Sequence, residues 1–166
     1  MKQFSFILLG LCFLAMPLQA QTTMSELFKV MPDSLLPYLS QNNRLDLIDF
    51  REANMEAKVT NLLDGQTRMT ALTADSLVLE LSPSSTIRLY LLPVSAPVDS
   101  ANHIICMVST IHFSESRYEQ SAQCYSLHWH PLTDKELPTD LLQQVLPRRR
   151  STILKWDDER LDKKPI

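Results

Sequence analysis

Cys106 and Cys124 are the most reactive side chains beyond the first twenty residues. Cys106 lies in an apolar stretch, with a turn signal at Ser114-Glu115-Ser116 between it and Cys124. If the chain reverses symmetrically about Glu115, the two cysteines become equidistant partners and face each other. Facing Cβ atoms lie about 4.5–5.5 Å apart, whereas a disulfide wants nearer 3.8 Å. A bond therefore needs a non-hydrogen-bonded pair or a small distortion. The alternative is two separate thiols in an apolar core. A redox or nucleophilic role has no Cys-x-x-Cys spacing behind it.

His128-Trp129-His130 is the second constellation. On a strand, alternate residues share a face, so both imidazoles would point the same way. With a third ligand they would make a zinc site and the basis of a hydrolase. His103 is the third candidate, but in the register above it has the opposite parity. Pro131 also ends the strand close by. The plainer reading is a pair of exposed histidines around a Trp that packs at the sheet end. Asp46 and Asp49, three apart, could divide acid and base roles on one helix face. A solvated face salted with Arg44 and Arg51 accounts for the same residues. Arg148-Arg149-Arg150 could hold phosphate or an anionic envelope surface, although acidic residues follow it. No serine stands in a nucleophile motif.

These residues need elements to position them. Thr23-Met24-Ser25-Glu26 has capping-box spacing and predicts a short helix through Leu27, Phe28 and Val30, ending before Pro32. A further turn is expected over Leu35 to Leu39. Asn42 or Asn43 is expected to cap a helix from Arg44 to about Ala53. From Met55 the pattern turns to strands. Asp64-Gly65 predicts a type I′ turn joining Ala57–Leu63 to Gln66–Leu72. Leu77, Leu79 and Leu81 alternate, as do Ile87, Leu89 and Leu91. A three-residue turn at Pro83-Ser84-Ser85 would set Leu81 against Ile87, Leu79 against Leu89 and Leu77 against Leu91. Pro93 to Ala101 reads as a loop, His103 to Phe113 as an apolar strand, and Tyr118 to Trp129 as its partner. A last helix is expected to be capped by Thr139 or Asp140 and stopped by Pro147. Helices first and a meander after them predict an α+β fold, with short N-terminal helices packed on a mainly antiparallel sheet of about six strands.

The first twenty residues have the plan of a secretory signal peptide: Lys2, an apolar run from Phe4 to Met16, Pro17, then Leu18-Gln19-Ala20 before the cleavage point. The run is too short to span a bilayer, which takes about 20 apolar residues. The expected organisation is a signal peptide over 1–20, a single domain over 21–146 and a charged tail over 147–166. Cys12 could instead be a lipid-acceptor cysteine, but Leu11 stands where a small residue normally precedes one. The chain carries a net charge of −3, and losing Lys2 makes it more acidic, which argues against a nucleic-acid partner. It has two glycines, Gly10 and Gly65. Phosphate-cradling loops and the hydrolase nucleophile elbow need several, so both are excluded. No cofactor is expected.

Met31-Pro32-Asp33-Ser34-Leu35-Leu36-Pro37, then Asn43-Arg44-Leu45-Asp46-Leu47-Ile48-Asp49-Phe50, Met69-Thr70-Ala71-Leu72-Thr73, Leu91-Leu92-Pro93-Val94 and Trp129-x-Pro131-Leu132 together resemble an uncharacterised family of small exported Bacteroidetes proteins. The likeness spans most of residues 24–132, and the tail after about Leu142 does not follow it. It is a domain of unknown function, so it carries over no catalytic residues. It implies a Gram-negative periplasm or cell envelope. The function expected is that of a non-catalytic exported module, without a membrane span when mature, that binds an envelope protein or another envelope component. The rivals are a metal-dependent or other hydrolase at His128 and His130, and an inhibitor of an envelope enzyme.

Overall fold

Thr23 starts the first helix as its spacing predicts: its hydroxyl accepts the Glu26 N–H at 3.3 Å, and α1 runs Met24–Lys29. The computed structural model describes residues 22–114, 117–133 and 136–137. The expected signal peptide, Cys12, the helix expected after Thr139, Arg148-Arg149-Arg150 and the expected 147–166 tail all lie outside the described residues. After α1, the further turn expected over Leu35 to Leu39 is a 3₁₀ turn that lies earlier, at Asp33–Leu35. Helix α2 spans Gln41–Glu52, and its cap is Ser40 rather than Asn42 or Asn43. The Ser40 hydroxyl accepts the Asn43 N–H at 3.2 Å, a task to which serine is as well suited as asparagine.

Six strands follow: β1 (Lys58–Thr60), β2 (Gln66–Leu72), β3 (Ser76–Ser82), β4 (Ser85–Val98), β5 (Ala101–Ser114) and β6 (Arg117–Tyr125). They form one sheet in the order β1-β2-β3-β4-β5-β6, every neighbour antiparallel. The fold is thus α+β, a meander preceded by helices. Among the described residues no helix is long and apolar enough to cross a membrane.

The later strands differ from expectation in register and in extent. Leu79 faces Ile87 and Leu77 faces Leu89, because Pro83-Ser84 turns the chain in two residues and Leu81 is left in an irregular step before Ser82. The slip is by an even number, so the aliphatic face survives intact. The Pro93–Ala101 stretch is strand, and the reversal comes at Asp99-Ser100, both at positive φ. Prolines are tolerated there because β3 pairs with β4 no further than Tyr90, which leaves Pro93 and Pro97 without a ladder partner on that side. Finally, β6 ends at Tyr125, four residues short of Trp129.

One face of the sheet packs under the helices: Val59, Met69, Leu77, Leu79, Ile87, Leu89 and Ile105 meet Met24, Phe28, Leu47 and Ile48. The other face buries Ile104, Cys106, Val108 and Cys124 with Leu132. Burial on both faces explains why the centre of β5 reads as a continuous apolar run rather than an alternation.

Candidate functional site

Three hairpin ends meet at one end of the sheet and enclose an open groove of about 1190 Å³. Its walls are the loop residues Tyr38 and Leu39, the β1–β2 turn with Asn61 and Leu63, the β3–β4 turn, and Phe113 at the end of β5. Backbone hydrogen bonds tie these walls together. The Leu62 N–H donates to Tyr38 O at 2.9 Å, and the His112 N–H donates to Ser84 O at 2.8 Å.

The β1–β2 turn is not the type I′ turn expected at Asp64-Gly65. Asp64 alone is left-handed, at φ 59°, and Gly65 is not. The turn is organised by Asn61, whose Oδ1 accepts from the N–H groups of Leu63 and Gly65 at 3.0 and 3.1 Å. Asn and Asp bond their own backbone in this way and so replace a glycine-dependent turn. Because the side chain of Asn61 serves the backbone, Leu62 and Leu63 are turned outward and stand 65% and 66% exposed. Phe113 is 62% exposed and Tyr38 is 51% exposed. The groove is therefore lined by unburied apolar side chains together with the polar Lys58, Gln66, Arg68 and Glu80. Arg68 is held in part by an ion pair with Glu56 at 3.3 Å. Ser82 Oγ accepts the Ser84 N–H at 3.3 Å, so its lone pairs serve the turn. The groove was not anticipated. Its one signal in the sequence is Leu62-Leu63, two large apolar residues in a turn.

Cys106 and Cys124 lie directly opposite each other on β5 and β6, with reversal symmetric about Glu115 up to His112 and Tyr118. Both are buried thiols in the structure. The facing Cys124 thiol, and then burial, push the Cys106 thiol far up. Cys124 is drawn down by the facing Cys106 thiol, against the opposing effect of its own burial. Burial also raises the neighbouring Tyr125 phenol.

His128, Trp129 and His130 occupy a turn beyond β6, so strand alternation does not govern them. Both histidines are exposed, with ring centroids 6.4 Å apart, and Trp129 between them is buried. His130 lies 4.0 Å from the carboxylate of Asp99. His103 is exposed on β5 opposite Pro93. Among the described residues no three His, Cys, Asp or Glu side chains gather around a common point. Asp46 and Asp49 are exposed on α2, but Arg44 does not share their solvated face: it is buried. A smaller polar hollow of about 220 Å³ lies among Arg88, Thr110, His112, Tyr118 and Gln120.

The family model for "Protein of unknown function (DUF3256)" matches residues 15–161. It thus runs well past Leu142, and the tail beyond that residue follows the family after all. No curated protein matches the chain. Among solved structures, a domain of an uncharacterized protein from Porphyromonas gingivalis W83 is similar, with 23% identity and a TM-score of 0.55, over 69% of this chain and 56% of that one. The match therefore spans little more than half of that solved chain. The likeness is one of fold.

Proposed function

The chain belongs to the family described as Protein of unknown function (DUF3256), and from that premise we propose that it is a non-catalytic binding module of the cell envelope. In this reading residues 1–20 direct export. The groove at the hairpin end receives an extended, apolar segment of another envelope protein. The observation that carries the reading is the groove itself: Tyr38, Leu63 and Phe113 stand more than half exposed around one concavity that charged side chains also line. Exposed aromatic and apolar side chains gathered in one concavity have the composition of a protein interface. At about 1190 Å³, the groove exceeds the roughly 300–1,000 Å³ of small-molecule pockets. The hydrogen bonds joining its walls support a preformed site, which lowers the ordering cost of binding.

Selection of short displayed peptides on the purified full chain tests this. Peptides rich in apolar residues should be enriched on the wild type, and enrichment should disappear on Phe113→Asp and on Leu63→Asp. Enrichment that both variants retain, or none at all, would sink the groove reading. Turnover of ester, peptide or phosphoester substrates by the purified chain would sink the non-catalytic one.

A further inference from the structure

Whether Cys106 and Cys124 can bond depends on which kind of antiparallel pair they form, and the backbone answers that. In a strand, a residue's N–H and C=O point to the same side. The Cys124 carbonyl accepts from the Leu132 N–H at 2.9 Å, so Cys124 directs its backbone groups away from β5. On β5, the His112 N–H points toward the β3–β4 side, to Ser84 O at 2.8 Å. The β4–β5 ladder is unbroken from Ser85 to Pro93, and the β5–β6 ladder is unbroken from Ile105 to His112. Even-numbered residues of β5 in this span therefore all face β4 with their backbone, Cys106 included. Neither cysteine bonds the other's backbone. The pair is non-hydrogen-bonded, the type in which facing Cα atoms approach to about 4.5 Å and side chains come closest. That separation falls inside the disulfide range of about 4.4–6.8 Å.

We propose that Cys106 and Cys124 are an oxidation site, joined in the exported protein by a cross-strand disulfide that staples β5 to β6. Its formation is balanced by an external disulfide. One cysteine thiolate attacks a sulfur of that disulfide and releases a thiol. The second cysteine, as thiolate, attacks the mixed disulfide and releases the other thiol. One Sγ–Sγ bond replaces two S–H bonds, and the two electrons and two protons reduce the external disulfide to two thiols. Both cysteines are at most 1% exposed and lie beside Leu132. Exchange therefore belongs to folding, before Leu132 closes over the pair, and the finished bond is shielded from reductants. This site is independent of the groove.

The test uses the full chain, unfolded and refolded with reduced and oxidised glutathione, so it does not depend on export. Peptide mapping after alkylation in denaturant should find Cys106 linked to Cys124, and both protected until a reductant is added. The oxidised chain should melt higher than the same chain reduced, by roughly 10 °C for a loop of this size. In Cys106→Ala/Cys124→Ala the melting temperature should no longer respond to redox state. Two free thiols after refolding, a pairing that involves Cys12, or a bond that lowers the melting temperature would each overturn the proposal.

Discussion

Arg44 projects from α2 with only 2% of its surface exposed, into the link between the two helices. Its guanidinium donates to Leu39 O and Met31 O, each at 2.9 Å, and meets the Asp33 carboxylate at 2.8 Å. Both carbonyls belong to chain that leaves one helix and enters the next, so one planar cation closes that connection. Its Nε is buried and has no protein partner among the described residues. Hydrogen bonds and charge are not equal here. Asp33 is 73% exposed, so its ion pair should count for little, about 0–1 kcal/mol. The buried carbonyls matter more, since a buried acceptor left unpaired costs about 1–3 kcal/mol. Arg44→Met should therefore lower unfolding free energy by about 3 kcal/mol or more, counting two carbonyls. Asp33→Asn should lower it by less than about 1 kcal/mol. Denaturant titration of both variants checks the order, and an equal loss would mean that the ion pair dominates. Nothing in the spacing of α2 announced this role, because the sequence pattern reads an arginine among aspartates as solvated. The partner that draws it inward lies 13 residues away.

At the scale of elements, alternation showed which face of each strand is apolar, and the turns decided which residues meet. In β3 and β4 two registers that differ by two residues bury the same leucines, so the apolar pattern cannot separate them. The geometry of Pro83-Ser84 does. The last hairpin was more legible because its reversal is symmetric, and Cys106 and Cys124 pair as expected from the sequence. The β1–β2 turn was misread for a physical reason: Asn61 takes over the work assigned to positive φ at Gly65. Glycine is needed at 65 for space instead. A Cβ there would stand 3.2 Å from Asn61 Nδ2 and 3.3 Å from Oδ1, displacing the side chain that accepts the Leu63 and Gly65 N–H groups. Gly65→Ala should thus cost about 1 kcal/mol. Asn61→Ala should cost a similar amount through the lost turn bonds. The double variant should cost clearly less than the two together, because each change removes what the other disturbs. Full additivity in a thermal or denaturant cycle would show that the alanine methyl strains something other than Asn61.

At the scale of the whole molecule, the end of the described chain is fastened to its beginning. After β6 the chain turns through Ser126–His130 with Trp129 at φ 63°, a rare conformation for so large a side chain. That turn puts Trp129 on the helix-covered face and Leu132 on the other, so a few residues wrap the outer edge of the sheet. The Trp129 indole N–H donates to Leu27 O at 3.1 Å, 102 residues away, and its ring lies 5.6 Å from that of Tyr125. Leu27 O belongs to the last turn of α1, where helix carbonyls lack an internal partner. The sequence suggested a Trp packed at the sheet end between two exposed histidines, but it offered no way to see the helix it caps. The groove was hidden for the same reason: it arises where three distant hairpins meet, and a local pattern reads each one alone. Because α1 is only six residues long, it should depend on this distant bond more than a longer helix would. Trp129→Phe keeps an aromatic ring against Tyr125 but deletes the donor, together with the pyrrole part of the buried indole. It should cost about 1–3 kcal/mol for the orphaned carbonyl. The loss should also be local. Hydrogen exchange at Phe28, Val30 and Met31 should quicken more than exchange at the β3–β4 core amides of Leu77, Leu79 and Leu89. Equal acceleration at both sets would mean that Trp129 contributes to the core as a whole and does not hold α1 in place.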